Sequence, residues 1–237
     1  MRLLDWLRPP APTQHLNEAQ RQRVANLATP GPLGEHSLRK QRWVVVDVET
    51  TGLNLNRDLV LSIGAVVIED GAIDFSQLFE RTLQREAHKP GPSVLIHGLG
   101  PSAIAAGSAP AEALLDFMEF VGDSPLLAFH AGFDQHMLQR ALKDSLGYRL
   151  AHRFFDIAEL APCLCPHGPR REAGLDDWTE HFGLLVEERH HASADALVTA
   201  ELALILFSHA RRQGFDSPAE LAQKLSQWRR RQGAPSF

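Results

Sequence analysis

Carboxylates follow two short apolar runs of this sequence and open one long apolar helix. Asp47 and Glu49 end a β-branched run, and because they are two residues apart on a predicted strand, they point to the same face. Asp134 follows a second apolar run, and Asp195 lies in the first turn of a predicted helix. A buried carboxylate without a partner is costly, so acids at the ends of core strands usually meet a cation or a hydrogen-bond network.

Convergence of these carboxylates on one point would suit hard cations. Mg²⁺ and Mn²⁺ prefer oxygen ligands, and a pair of such ions about 3.5–4 Å apart clamps the attacking and leaving oxygens of a phosphodiester. A neutral histidine nearby can deprotonate the attacking water, because its unperturbed pKa is about 6.5. His190, five residues before Asp195, has the chemistry for that task. The residue types therefore predict metal-dependent hydrolysis of a phosphodiester.

Hydrophobic periodicity predicts the strands and helices that position these residues. Apolar, β-forming runs flank the turn signal Asp70-Gly71, and helical spacing dominates the second half of the chain. Strands first, then helix and strand alternating, predict an α/β domain with a mixed sheet flanked by helices. The predicted strands are 43–46, 59–68, 72–83, 125–129 and 153–157, and the predicted helices are 14–27, 111–121, 135–142, 175–182, 194–210 and 217–231.

The predicted domain has an extension at each end. Residues 1–40 form an N-terminal extension that is partly helical, residues 41–213 form the α/β domain, and residues 214–237 form a C-terminal helix and tail. The last helix begins with a capping-box sequence, Ser217 to Glu220. Either extension could dock a partner protein.

Composition narrows the class of protein. The 237 residues carry a net charge of −5 and are 44% hydrophobic, which is an ordinary globular balance. The acidic balance argues against a non-specific nucleic-acid coat, but not against an enzyme whose cations meet the phosphate at a strand end. No run approaches the ~18 apolar residues of a membrane span, so no membrane partner is expected. A disulfide between Cys163 and Cys165 would be strained, so a reducing, cytoplasmic setting is expected.

Three motifs together resemble those of a known enzyme family. Residues 47–52 read D-V-E-T-T-G, Phe133-Asp134 follows an apolar strand, and residues 190–195 read H-H-A-S-A-D. They are similar, in the same order, to the D-x-E-T-T-G, second and H-x-A-x-x-D motifs of the histidine-type (DEDDh) branch of the DEDD exonucleases. That branch includes the ε-subunit exonuclease domain of bacterial DNA polymerase III. The resemblance covers about residues 42 to 210.

The resemblance implies a fold, an activity and a set of catalytic residues. It implies an RNase H-like fold and a 3′→5′ exonuclease that acts on DNA in proofreading or repair and releases 5′-mononucleotides, with a polymerase as a possible partner. Asp47, Glu49 and Asp195 would ligate one Mg²⁺ or Mn²⁺ ion, and Asp47 would bridge to a second. Asp134 would hold that second ion, largely through water, and His190 would be the general base.

The same resemblance implies a pocket for the terminal nucleotide. Backbone groups would contact its sugar, and Leu53 would lie beside its base. Family members often have a His-Gly pair where this chain has His97-Gly98, although a turn residue there is at least as plausible. The second motif often has Asn where this chain has His130, which leaves the local geometry open. The candidate substrate-binding residues are Thr50, Thr51, Gly52, Leu53, His97, His130 and Phe133.

Plainer interpretations compete with these roles. An acid at a strand end can cap a turn, and acids at helix starts favour the helix dipole, which would account for Asp134 and Asp195 without a metal. His190 and His191 could be a solvated pair, and only the register with Asp195 selects between them. The segment 163–167, C-L-C-P-H, offers three potential zinc ligands at a spacing of no common structural site, so we predict a loop there.

Alternative functions also remain open at this point. The same carboxylates would serve an exonuclease on RNA or short oligoribonucleotides, and the fold would serve a two-metal nucleotide phosphatase. A non-catalytic, polymerase-associated binding module is a third class. The presence of all five catalytic-type residues argues against it.

Overall fold

A mixed β-sheet forms the centre of the domain in this computed structural model, which describes residues 16–85, 98–185 and 191–232. The strand order is β3-β2-β1-β4-β5, with β1–β2 and β2–β3 antiparallel and β1–β4 and β4–β5 parallel. This arrangement confirms the predicted α/β class. The strands are β1 (Trp43–Thr50), β2 (Val60–Glu69), β3 (Ala72–Thr82), β4 (Leu126–Ala128) and β5 (Phe154–Asp156).

Helices cover both faces of the sheet. Eight helices lie in the described parts of the chain, and the longest of them, Ala192–Arg212, contributes most residues to the buried core. They are α1 (Glu18–Asn26), α2 (Pro101–Ala105), α3 (Pro110–Val121), α4 (Ala131–Leu146), α5 (Ile157–Leu164), α6 (Leu175–Phe182), α7 (Ala192–Arg212) and α8 (Pro218–Gln232).

Side chains of β1 divide the core into two layers. Trp43 and Val45 pack with apolar residues of α5, α6, α7 and α8, whereas Val44 and Val46 pack on the opposite face with those of α3 and α4. Because both faces of β1 are buried, the strand is continuously apolar until its last residues, which is why its sequence predicts a buried strand. The acids at its end therefore lie at the border of the core.

Helix α7 is the main packing element on one face. By length and composition it is the one helix among the described residues that could cross a membrane, and 56% of its apolar window is buried inside the domain. It lies across β1 and β2 and begins beside the end of β1 that carries the acids.

The described part of the N-terminal extension is docked on the domain. Asn17 and Gln20 form a capping box that starts α1 at Glu18. On α1, Arg23 makes ion pairs of 2.6–2.8 Å with three acids of α3. Leu16, at 5% exposure, packs into the core. The division of the chain at residues 41 and 213 stays a prediction.

Two elements differ from the sequence-based predictions. Helix α4 begins at Ala131 rather than at residue 135, so Asp134 lies within its first turn. Helix α5 replaces the predicted loop at residues 163 and 164. Pro162 argues against a helix there, since it removes a backbone donor. The segment is nevertheless helical, because Asp156 accepts the Ala158 N–H at 3.0 Å and the apolar face of α5 is buried.

Candidate active site

The end of β1 presents two carboxylates toward the α7 face of the sheet. Asp47 and Glu49 are half-buried and alternate with Val48, whose side chain is 7% exposed in the opposite layer. Asp47 pairs with Gly64 of β2, and Glu49 pairs with Ser62. The register shifts after Glu49, so β1 leaves regular pairing directly beyond the second acid.

Helix α7 supplies the third carboxylate through a close approach to β2. A Cβ atom at Gly64 would lie 2.1 Å from the carbonyl carbon of Ala192 and 2.2 Å from the nitrogen of Ser193. Only glycine therefore allows the start of α7 to lie against the strand residue that pairs with Asp47. Asp195, in the first turn of α7 and 8% exposed, reaches the acids of β1 for this reason. Gly64 was not among the predicted site residues, and its one sequence signal is a glycine inside an apolar strand.

Asp47, Glu49 and Asp195 form a cluster suited to a cation. One carboxylate oxygen from each lies within 4.8 Å of the other two. Burial and, to a smaller extent, the charge of Asp195 together raise the pKa of Glu49 to about 7, and His191 opposes the shift. An all-carboxylate donor set fits Mg²⁺ or Mn²⁺, and a bound dication would relieve the repulsion between the acids.

Asp134 lies near this cluster but outside it. Its side chain is 4% exposed. Burial raises the pKa of its carboxyl well above the usual range, hydrogen bonds from the backbone of Asp134 and Val48 oppose this, and the charges of Asp156 and Glu49 add to it. The structure thus brings three of the predicted acids together and places the fourth within electrostatic reach of Glu49.

A turn before α4 positions Asp134. His130 adopts the left-handed conformation, with a φ of 60°, which histidine adopts more often than most residues other than glycine. Its N–H donates to Asp156 Oδ1 at 3.0 Å, and its ring meets that of Phe129 edge-on at 4.8 Å. Phe133, one residue before Asp134, donates its N–H to the His130 carbonyl at 2.9 Å.

The role of Asp156 was missing from the sequence analysis. Burial raises the pKa of this carboxyl, and nearby Glu159 raises it further, while backbone N–H groups and the neighbouring His130 lower it. Its sequence signal is an acid directly after a short apolar strand, the same pattern that singled out Asp47 and Asp134.

The loop after β1 carries most of the candidate substrate-binding residues. The Thr50 hydroxyl donates to the Gly52 carbonyl at 2.7 Å, and the Thr51 hydroxyl donates to Asp58 Oδ1 at 2.7 Å. Asp58 also accepts the N–H of Asn54, so this carboxylate organises the loop. Leu53 is 84% exposed, which leaves its side chain available for an apolar contact.

Two predicted histidines, His97 and His190, lie outside the described residues. His191, the residue after His190, directly precedes α7, and its Nδ1 lies 3.4 Å from Glu80 Oε1. The Ser193 hydroxyl donates to the other oxygen of Glu80 at 2.8 Å. His191 therefore has protein partners of its own on β3.

The carboxylate cluster is separate from a cavity elsewhere on the domain. This cavity of about 620 Å³ is lined by the linker before β1, the start of α8 and the residues around β4 and β5, and none of the candidate site residues contributes to it.

Fold and site together define a nuclease-type domain, and the chain belongs to the exonuclease family, whose model matches residues 44–203. It is 31% identical over 171 residues to the PolC-type DNA polymerase III of Clostridium perfringens, a match that covers 72% of this chain and 12% of that protein. It is also 31% identical over 186 residues to a DNA polymerase III subunit epsilon-like protein of Rhodobacter capsulatus, covering 77% of this chain and 26% of the other. These matches confirm the predicted resemblance to polymerase III ε-type exonucleases.

Solved structures confirm the RNase H-like fold. The crystal structure of E. coli exonuclease I in complex with a dA16 oligonucleotide superposes with a TM-score of 0.61 at 19% identity. The superposition covers 73% of this chain and 42% of exonuclease I. This chain thus spans less than half the length of each of these relatives.

Proposed function

We propose that this chain is a 3′→5′ exonuclease that hydrolyses the terminal phosphodiester of a DNA strand and releases 5′-mononucleotides. The observation that carries the proposal is the cluster of Asp47, Glu49 and Asp195, with carboxylate oxygens within 4.8 Å of one another at the end of β1. The cluster occurs in a member of the exonuclease family, whose model matches the segment that contains all three acids.

The acids would hold two Mg²⁺ or Mn²⁺ ions. Asp47, Glu49 and Asp195 would hold one ion, and Asp47 with Asp134 would hold the second. When bound, such ions polarise the phosphodiester and neutralise its developing charge. The donors are set on packed elements, because the start of α7 lies against Gly64 of β2, which pairs with Asp47 of β1.

The remaining roles are assigned to a histidine of the third motif and to the loop after β1. We assign to His190 the role of general base, which accepts the proton of the attacking water, and to Leu53 the contact with the terminal base. The exposed side chain of Leu53 and the hydrogen-bonded Thr50 and Thr51 support a preformed nucleotide pocket in the loop after β1.

DNA is the substrate that the comparisons favour. The PolC-type relative is a DNA polymerase, and E. coli exonuclease I binds a dA16 oligonucleotide in its crystal structure. We extend both to this chain as a proposal, together with a polymerase as a possible partner of the terminal extensions. The two cysteines are buried free thiols, which suits the cytoplasmic location that we propose.

A digestion of 5′-labelled strands tests this function directly. Single-stranded DNA, paired DNA, DNA with a mismatched 3′ end and single-stranded RNA are incubated with Mg²⁺, Mn²⁺ or EDTA. We expect a descending ladder of labelled DNA fragments with either metal and none in EDTA, and slower shortening of RNA. Direct release of a labelled mononucleotide would show the opposite polarity, and faster digestion of RNA would assign an RNA 3′ end as the substrate.

Asp47→Asn is the matched control for this assay. It keeps the size of the side chain and removes its charge, so we expect no more than a trace of cleavage. Activity close to that of wild type would mean either a contaminating nuclease or that Asp47 is not needed, and a second, independent purification separates the two. An absence of cleavage by wild type on every strand, with both metals, would refute the proposed function.

A further inference from the structure

Two arginines donate hydrogen bonds to backbone carbonyls of the segment that follows β1. Arg85, shortly after β3, is partly buried and donates Nε and Nη2 to the Val60 carbonyl at 3.0 and 2.8 Å. Arg140, in the third turn of α4, donates Nη1 to the Leu55 carbonyl. Both guanidinium groups thus contact neutral backbone oxygens of the same loop, Arg85 at its end and Arg140 in its middle.

Among the residues that the structure describes, both arginines donate to backbone carbonyls and neither donates to a carboxylate. Burial lowers the pKa of Arg85, and the positive charge of Arg140 lowers it further. By contrast, Arg23 on α1 is paired with three carboxylates. A buried charge without a counter-charge is costly, and carbonyl oxygens do not neutralise it. The two cations together therefore present a site for an anion.

The location of the pair connects it to the carboxylate cluster. Val60 pairs with Thr50, the residue that follows Glu49 on β1. The loop between Thr50 and Val60 therefore has the cluster at its start and Arg85 at its end. Its surface is apolar at three leucines, Leu53, Leu55 and Leu59, which are 84%, 37% and 41% exposed. Cations beside exposed apolar side chains match the alternating phosphates and bases of a single strand.

We propose that Arg85 and Arg140 together bind one phosphate of the substrate strand, upstream of the bond that is cut. An arginine has five N–H donors, so each of the two retains donors beyond those given to the loop carbonyls. Two guanidinium groups suit the oxygens of a phosphodiester in bidentate fashion. The inference rests on the proposed function, because it requires a nucleic-acid substrate. It assigns two residues that bind the strand upstream of its terminal nucleotide.

Two substrates of different length separate this subsite from the catalytic cluster. The p-nitrophenyl ester of thymidine 5′-phosphate contains only the bond to be cut, whereas a single-stranded DNA 8-mer also offers upstream phosphates. For Arg85→Gln, Arg140→Gln and the double variant, we expect kcat/KM on the ester within about two-fold of wild type. On the 8-mer we expect a loss of roughly 10- to 100-fold, mostly in KM, since hydrogen bonds to charged groups are lost.

Salt dependence and neutral phosphates locate the contact. The slope of log affinity against log salt should fall by about 0.7 in the double variant, as expected for one phosphate of a single strand. A methylphosphonate, which has no charge, is placed at successive positions of the 8-mer. At one position it should weaken binding to the wild-type protein and leave binding to the double variant unchanged. Arg149→Gln removes an exposed charge beside His152, away from the loop, and should behave as wild type.

The outcomes distinguish three cases. Equal losses on the ester and the 8-mer would show that the arginines only support the loop, and would overturn the subsite. Should Arg85→Gln fail to fold in a melting experiment, Arg140→Gln alone carries the test. If wild type cleaves neither substrate, the proposed function fails, while anisotropy of a labelled 8-mer in EDTA still tests whether both arginines bind the strand. Binding that is unchanged in the double variant would refute the inference.

Discussion

Gly64→Ala should move the third carboxylate of the site without altering any charged residue. The new methyl group would lie 2.1 Å from the carbonyl carbon of Ala192 and 2.2 Å from the nitrogen of Ser193. Both are backbone atoms, which cannot rotate away, so β2 and the start of α7 must separate by about 0.9 Å for the closest contact to reach 3.0 Å. Asp195 is carried on that turn of α7 and should shift by a similar distance relative to Asp47.

The shift should lower both stability and rate. Overpacking of this kind costs about 1–3 kcal/mol, which for a domain of this size corresponds to a Tm lower by roughly 2–12 °C. A displacement of about 1 Å in a catalytic constellation lowers the rate by roughly 10²-fold. Because all ligands are still present, Mn²⁺ should bind with reduced affinity rather than not at all.

Three measurements check this prediction: thermal melting by circular dichroism, Mn²⁺ titration, and the rate of DNA digestion below the Tm of the variant. Gly31→Ala is the matched control, since a Cβ there has no atom within 4 Å, and it should match wild type in all three. A Gly64→Ala protein that melts earlier but digests DNA and binds Mn²⁺ normally would refute the positioning role and leave only a packing role.

Three further predictions concern individual side chains. Asp47→Ala should lower cleavage in Mg²⁺ by several orders of magnitude while the circular dichroism spectrum is retained, and activity above a tenth of wild type would exclude it as a ligand. His190→Ala should lower the rate by about 10²–10⁴-fold, as for a general base, whereas His191→Ala should stay within a few-fold; the reverse result would place the motif register off by one. Burial lowers the pKa of His152 below 6.5, so the unfolded chain takes up this proton at a higher pH than the folded chain. The stability that it contributes is therefore present above about pH 6.5 and is lost as the pH falls through the folded pKa. In His152→Asn, the free energy of unfolding measured in urea should differ less between pH 7.5 and pH 5.0 than it does in wild type. An unchanged difference would show that other groups cause the pH dependence.

Local sequence determined the parts of this protein that depend on neighbouring residues. Apolar runs with β-branched residues predicted the central strands, and helical periodicity predicted α3, α6, α7 and α8 to within a few residues. The capping box at Ser217 is present, with the Glu220 N–H donated to the serine oxygen at 3.2 Å and the Ser217 N–H donated back at 3.1 Å. Acids placed where apolar strands end were sufficient to select the carboxylates of β1.

Only the tertiary structure decided how those acids meet. Asp195 reaches Asp47 because Gly64 admits the start of α7, and a contact between backbones distant in sequence leaves no local pattern. Asp156 acts by accepting the N–H of His130, 26 residues earlier in the chain, which its own position does not reveal. Helix α5 contains a proline and is nevertheless helical, because burial of its apolar face depends on neighbours that come later in the chain. Spacing along the chain therefore determines which residues can do the chemistry, and packing between distant segments determines which of them come within 4.8 Å of one another.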